Sequence, residues 1–178
     1  MLLAKIPVLD KGFVALISSC NTTQVLREID QEFFFGKYPT VLEELGSMTV
    51  VMKCPLFVQL DLSKFNFKII NAESAEVQPD AYIPNASQIG GSDIGTNQTI
   101  SDDISRTTAA LLINPIAYAA DGSDHFISQV MTPINVYTTI IVQGSYKEWC
   151  AYAYIRKVPG PIKAYTMALQ QIIDCEWK

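Results

Sequence analysis

The sequence predicts an α+β fold, and three observations lead there. Runs rich in β-branched and aromatic residues, such as Met48-Thr49-Val50-Val51-Met52 and Val136-Tyr137-Thr138-Thr139-Ile140-Ile141-Val142, read as strands. Stretches with apolar residues three and four apart, such as Ile162, Tyr165, Leu169, Ile172 and Ile173, read as helices. The two kinds interleave without a regular strand-helix-strand rhythm, which disfavours a doubly wound parallel sheet. With 178 residues, 49% of them hydrophobic, the chain has material for one domain, residues 1–178, with a sizeable core.

Taken in order, Ile6, Val8, Leu9, Phe13, Val14, Leu16 and Ile17 flank Asp10-Lys11-Gly12, a strand, turn and strand. Thr22 or Thr23 caps a short acidic helix carrying Glu28, Asp30 and Glu32, which Gly36 ends. A second short helical segment covers residues 38–45, and Gly46-Ser47 breaks it ahead of the Met48 strand. Pro55 suits the first turn of a helix, and Leu56, Phe57, Leu60, Ser63, Lys64 and Phe67 follow at helical spacing. Residues 85–97, rich in Asn, Ser and Gly, read as a surface loop. Ser101 opens a long helical pattern with Asp102-Asp103 near its N-terminus and Pro115 as a bend or break. A short helix at 124–131 follows. Ser145-Tyr146-Lys147-Glu148 is a capping box, which starts a helix on which Trp149, Tyr152 and Arg156 share a face. Pro159-Gly160-Pro161 then separates off the closing helix.

Bulk properties exclude several classes of function. A net charge of −5, with no basic cluster longer than two residues, argues against a nucleic-acid partner. No apolar run approaches a membrane span, which argues against a membrane partner. The four cysteines lack CxxC spacing and His125 is the only histidine, so no metal site is expected. Reduced, mostly buried thiols and a cytoplasmic location follow as expectations. A charged fraction of 17% is low for a small monomer and hints at surface covered by other subunits. No GxGxxG, P-loop, GxSxG or HExxH pattern occurs.

The order of segments carries a resemblance. Val8-Leu9-Asp10-Lys11-Gly12-Phe13-Val14, Val51-Met52-Lys53-Cys54-Pro55-Leu56-Phe57-Val58 and Tyr82-Ile83-Pro84 are similar to successive segments of the flavin-dependent thymidylate synthases. So are Thr132-Pro133-Ile134-Asn135-Val136-Tyr137-Thr138, the helix ending on Arg156, and Ile162-Lys163-Ala164-Tyr165. The matches run in order over nearly the whole chain. The resemblance implies an α+β thymidylate-synthase-complementing-protein-like fold and a homotetramer. It also implies FAD and dUMP sites shared between subunits, methylene transfer from a folate to uracil, and a hydride from reduced flavin.

The departures fall on the chemistry. The family's Arg-His-Arg signature aligns with Lys64, Phe65 and Asn66, and its serine with Ile69; Asn71 alone matches a signature position. The basic helix that touches flavin phosphate becomes Arg27-Glu28-Ile29-Asp30-Gln31-Glu32. A histidine position holds Tyr38, and two arginine positions hold Thr139 and Gln129. An arginine–phosphate hydrogen bond is worth roughly 1.5–3 kcal/mol. Losing two or three of them removes on the order of 10³-fold in affinity. Lys64 restores one charge without the bidentate fork of arginine. FAD bound in the family manner is therefore not expected.

The residual polar set for a nucleotide is Arg156, Asn135, Tyr137, Asn71 and Lys64. Each also has a plain structural role to weigh against this: an ion pair for Arg156, a turn for Asn135, a packed ring for Tyr137, solvation for Lys64. The expected function is a divergent homologue that has lost dUMP methylation and keeps the oligomeric scaffold with residual nucleotide binding. The alternative is an atypical but active FAD-dependent synthase converting dUMP to dTMP.

Overall fold

The computed structural model describes residues 4–20, 46–72, 80–89, 93–120 and 132–176. The expected helices near residues 25–32, 38–45 and 124–131, and His125, lie outside them. In chain order the described elements are strands β1 (Ala4–Val8), β2 (Gly12–Cys20) and β3 (Ser47–Pro55), helix α1 (Leu56–Leu62) and strand β4 (Lys68–Ala72). Helix α2 (Ile94–Ala120), strand β5 (Tyr137–Ser145) and helices α3 (Tyr146–Ala153) and α4 (Gly160–Glu176) follow.

The strands form one sheet in the order β1-β2-β3-β5-β4. The pairs β1–β2, β2–β3 and β4–β5 are antiparallel. For β3 and β5, Tyr146 N–H donates to the Gly46 carbonyl at 2.8 Å at one end and Leu56 N–H to the Val136 carbonyl at 2.9 Å at the other, so they too run antiparallel. Described helices and an antiparallel sheet make the mixed α+β architecture expected from the sequence. The chain divides into two compact units. One holds Met1–Cys54, Val58–Glu73 and Thr139–Lys178, and the other holds Pro55–Phe57 and Ser74–Thr138.

In the first unit, β3 alternates cleanly, with Met48, Val50, Met52 and Cys54 fully buried and the residues between them half-exposed. The buried face meets α3 through Trp149, whose indole N–H donates to the Met48 carbonyl at 3.0 Å. Helix α4 packs on β1, β2 and α3, burying Tyr165, Leu169, Ile172 and Ile173, the stripe legible in the sequence. At the β1–β2 turn a side chain on Gly12 would collide with the Tyr165 hydroxyl, which donates to the Lys53 carbonyl at 2.8 Å. Of the cysteines only Cys54 is buried, Cys150 being half-buried and Cys20 and Cys175 exposed, so the expectation of mostly buried thiols is corrected. Each exposed thiol sits within two residues of an element end, where packing stops.

The helix after β3 is shorter than its spacing suggested. It ends at Leu62, and Lys64 and Phe65 N–H groups close a turn onto the Asp61 and Leu62 carbonyls. Beyond it, Phe65, Phe67 and Ile69 are half-buried while Asn66, Lys68 and Ile70 are exposed. That period of two is a strand's, so Phe67 lies outside the helix and Asn71 lies on β4.

In the second unit, α2 begins at Ile94 rather than at Ser101. Asp93 precedes it and accepts hydrogen bonds from the Thr96 N–H at 3.0 Å and the Thr96 hydroxyl at 2.7 Å, which hold its carboxyl below the ordinary value. Asp102 and Asp103 are therefore interior helix residues, bonded to Gln98 and Arg106, and not N-terminal charges. The helix also continues past Pro115 without a break. Its inward side is polar. Asn97 donates to the Ile89 carbonyl at 2.8 Å and Ser101 to the Pro84 carbonyl at 2.7 Å. The loop expected at 85–97 thus includes a turn at Asn85, closed by the Gln88 N–H, and the first turn of α2. Among the described residues no helix is long and apolar enough to cross a membrane.

Candidate functional site

The site grows out of the capping box at the end of β5. Ser145 has the extended backbone of an N-cap, φ −71° and ψ 161°. Its hydroxyl accepts the Glu148 N–H at 3.3 Å, while Glu148 Oε2 accepts the Ser145 N–H at 2.9 Å. The reciprocal pair satisfies two helix-end donors and starts α3 at a fixed point on the sheet. Trp149 and Tyr152, three residues apart, then point into the core with no exposed surface.

Pairing of β4 with β5 brings the chain before β4 alongside this helix. The Phe67 and Trp149 rings lie 4.4 Å apart between centroids. Phe65 meets Tyr152 edge-on at 5.2 Å and 84°, and Phe65 and Phe67 lie 5.9 Å apart. Four aromatic rings therefore interlock where the sequence resemblance places Phe65 in the middle of the signature. The geometry is that of favourable edge-to-face and offset aromatic packing. Gly144 is required beside them, because a Cβ there would overlap the Phe67 ring.

An open cleft of about 460 Å³ lies against this cluster, lined by Phe65, Asn66, Ser145, Lys147, Glu148 and Ala151. Its two charges, Lys147 and Glu148, cancel. Elsewhere in the core, burial pushes the Cys54 thiol up to about 12. Burial, then the Asp61 charge, then Cys54 raise the Tyr152 phenol above its ordinary value. Both groups are neutral at neutral pH, so neither is a poised nucleophile or base. Asp61 Oδ2 and the Tyr152 hydroxyl are buried without a hydrogen-bond partner among the described residues. Among the described residues no cluster of three or more His, Cys, Asp and Glu stands ready for a metal.

The five polar residues singled out by sequence are divided between the units and largely committed to the fold. Lys64 is exposed and pairs with Asp61 at 2.5 Å. Asn71 accepts a hydrogen bond from Gln59 Nε2 at 2.8 Å. Arg156 does not share a face with Trp149 and Tyr152, because α3 ends at Ala153 and Tyr154 caps it; the arginine is exposed in the bend beyond. None of these three lines the cleft. In the other unit Asn135 Nδ2 donates to the Tyr82 carbonyl at 3.0 Å and to Thr108 Oγ1 at 2.9 Å, and Tyr137 is buried with its N–H on the Asp80 carbonyl.

Sequence reasoning missed Lys147 and Ala151 as lining residues and treated Ser145 and Glu148 as caps only. The capping box located the helix start. Nothing local could show that Phe65 and Asn66 face it, since that proximity comes from pairing β4 with β5, some 70 residues apart.

A scan against protein-family models gives no match, and a search of curated proteins gives none either. Among solved structures the fold is similar to that of the UMP/dUMP methylase PolB from Streptomyces cacaoi, solved with 5-Br UMP bound. The TM-score is 0.70 at 14% identity, and the match covers 97% of this chain and 91% of that one. At that identity the likeness establishes a shared fold.

Proposed function

We propose that this chain is a divergent homologue of the flavin-dependent thymidylate synthases that no longer methylates dUMP and serves as a nucleotide-binding scaffold. One observation carries the reading: Phe65, which the resemblance puts in the middle of the Arg-His-Arg signature, is packed into a ring cluster with Phe67, Trp149 and Tyr152. The likeness in fold to a protein titled a UMP/dUMP methylase supports a pyrimidine nucleotide as the ligand class.

The donor set speaks against FAD. A dinucleotide pyrophosphate calls for several cations or free backbone N–H groups. Around the cleft the described residues offer Lys147 alone, balanced by Glu148, and Lys64 is held by Asp61. No reaction step is therefore assigned through flavin.

Support for a retained homotetramer comes from α2, which leaves Ile94, Leu111 and Ile113 exposed. Apolar residues displayed at the first turn of one helix and again past its middle fit burial against further copies of the chain.

The test is the visible spectrum of the protein as purified, together with its size in solution. A colourless tetramer that is stabilised thermally by UMP or dUMP supports the proposal. Flavin absorbance in the purified protein sinks it, and a monomer removes the scaffold part.

A further inference from the structure

We infer that the cleft beside α3 recognises the base and sugar of a pyrimidine nucleotide and gains no affinity from its phosphate. The inference rests on the nucleotide-binding reading above and specifies which part of the ligand is read. A cleft of about 460 Å³ is in the size range of small-molecule sites. Phe65 supplies an apolar wall, fixed from behind by the Phe67 and Tyr152 rings. A rigid ring of this kind suits stacking against a planar base. Beside it Asn66 is exposed, and its side-chain amide makes no hydrogen bond to another described residue. An amide presents both a donor and an acceptor, the complement of the imide edge of uracil.

The groups that a phosphate would use are already engaged. A helix N-terminus favours an anion through its free N–H groups and its dipole. At α3 the chain supplies its own anion there. Glu148 Oε2 accepts from the Ser145 N–H at 2.9 Å and from the Ser145 hydroxyl at 3.1 Å, and the Glu148 N–H is taken by that hydroxyl. Lys147 lines the same cleft, so the carboxylate and the ammonium leave it with no net charge. A phosphate entering this cleft meets a lining of zero net charge and a helix end that is filled. An uncharged nucleoside sacrifices nothing there.

Titration calorimetry on the full chain at low salt, with uridine and UMP as the two ligands, decides the matter. Uridine and UMP are expected to bind within about twofold of each other. Asn66→Ala, at an exposed position outside the core, is expected to weaken both about tenfold, the equivalent of one hydrogen bond. Glu148→Gln keeps an amide oxygen for the cap and removes the charge, and is expected to raise UMP affinity several-fold relative to uridine. UMP binding tenfold or more tighter than uridine in the unaltered protein overturns the inference and leaves the nucleotide reading standing. A UMP-to-uridine ratio unmoved by Glu148→Gln also overturns it. Binding of neither ligand overturns the nucleotide reading itself, and this inference with it.

Discussion

Phe67 lies 4.4 Å from Trp149, centroid to centroid, and it reaches that position because residue 144 has no side chain. Trp149 is itself pinned by its indole N–H on the Met48 carbonyl, so the ring pair has little room to shift. Gly144→Ala is expected to cost about 1–3 kcal/mol, as overpacking does in a filled core. Urea denaturation monitored by tryptophan fluorescence reads this. An unchanged midpoint would mean that the four-ring cluster is loose and that its claim on the signature position fails.

Asn135 and Lys64, both candidate ligand residues by sequence, play different parts in the fold. Asn135 holds the Tyr82 carbonyl and the Thr108 hydroxyl, both in its own unit. Asn135→Ala leaves those groups short of a donor and is expected to lower stability by about 1–3 kcal/mol. Lys64 makes an exposed pair with Asp61, so Lys64→Ala is expected to change stability by less than about 1 kcal/mol. Thermal melts of the two variants side by side check the contrast. Equal effects would remove the structural role given to Asn135.

Alkali should unfold the protein earlier than its charge alone suggests. The folded chain holds Cys54 up to about 12 by burial, and Tyr152 is raised by burial and by Asp61. In the unfolded chain the same groups ionise near roughly 8.5 and 10. A group whose folded pKa is raised contributes fully below its unfolded pKa and loses that contribution as pH climbs to the folded value. Stability should therefore hold from pH 7 to about 8.5 and decline above it, less steeply in Cys54→Ala. Melting temperatures across that range test the sign, and a rise through pH 10 contradicts it. Thiol labelling gives a second check: Cys20 and Cys175 react in the native protein, and Cys54 reacts on unfolding.

Much of the fold was legible because its signals are local. The β1–β2 hairpin follows from Asp10-Lys11-Gly12 between apolar runs, and the α3 start follows from Ser145 and Glu148. The errors arose where two periods compete or where a cap sits in a polar run. Phe65, Phe67 and Ile69 satisfy a strand's period, yet Phe67 also fits a helix continuing from Ser63 and Lys64. Asp93 starts α2 inside a stretch whose Asn, Ser and Gly content reads as loop. The face expected to run from Ser145 through Arg156 stops at Ala153, three residues and less than one turn short, because Tyr154 caps the helix. The cleft itself was illegible. Its walls, Phe65 and Asn66 on one side and Ser145 to Ala151 on the other, meet only through strand pairing across a long sequence separation.

On the proposed reading, Phe65 and its ring neighbours have displaced the family chemistry, and dTMP synthesis is the property that is lost. The decisive assay incubates the protein with dUMP, a methylene-folate and chemically reduced FAD and measures dTMP. The prediction is no dTMP above a protein-free control. Formation of dTMP that scales with protein concentration and disappears without flavin would contradict it.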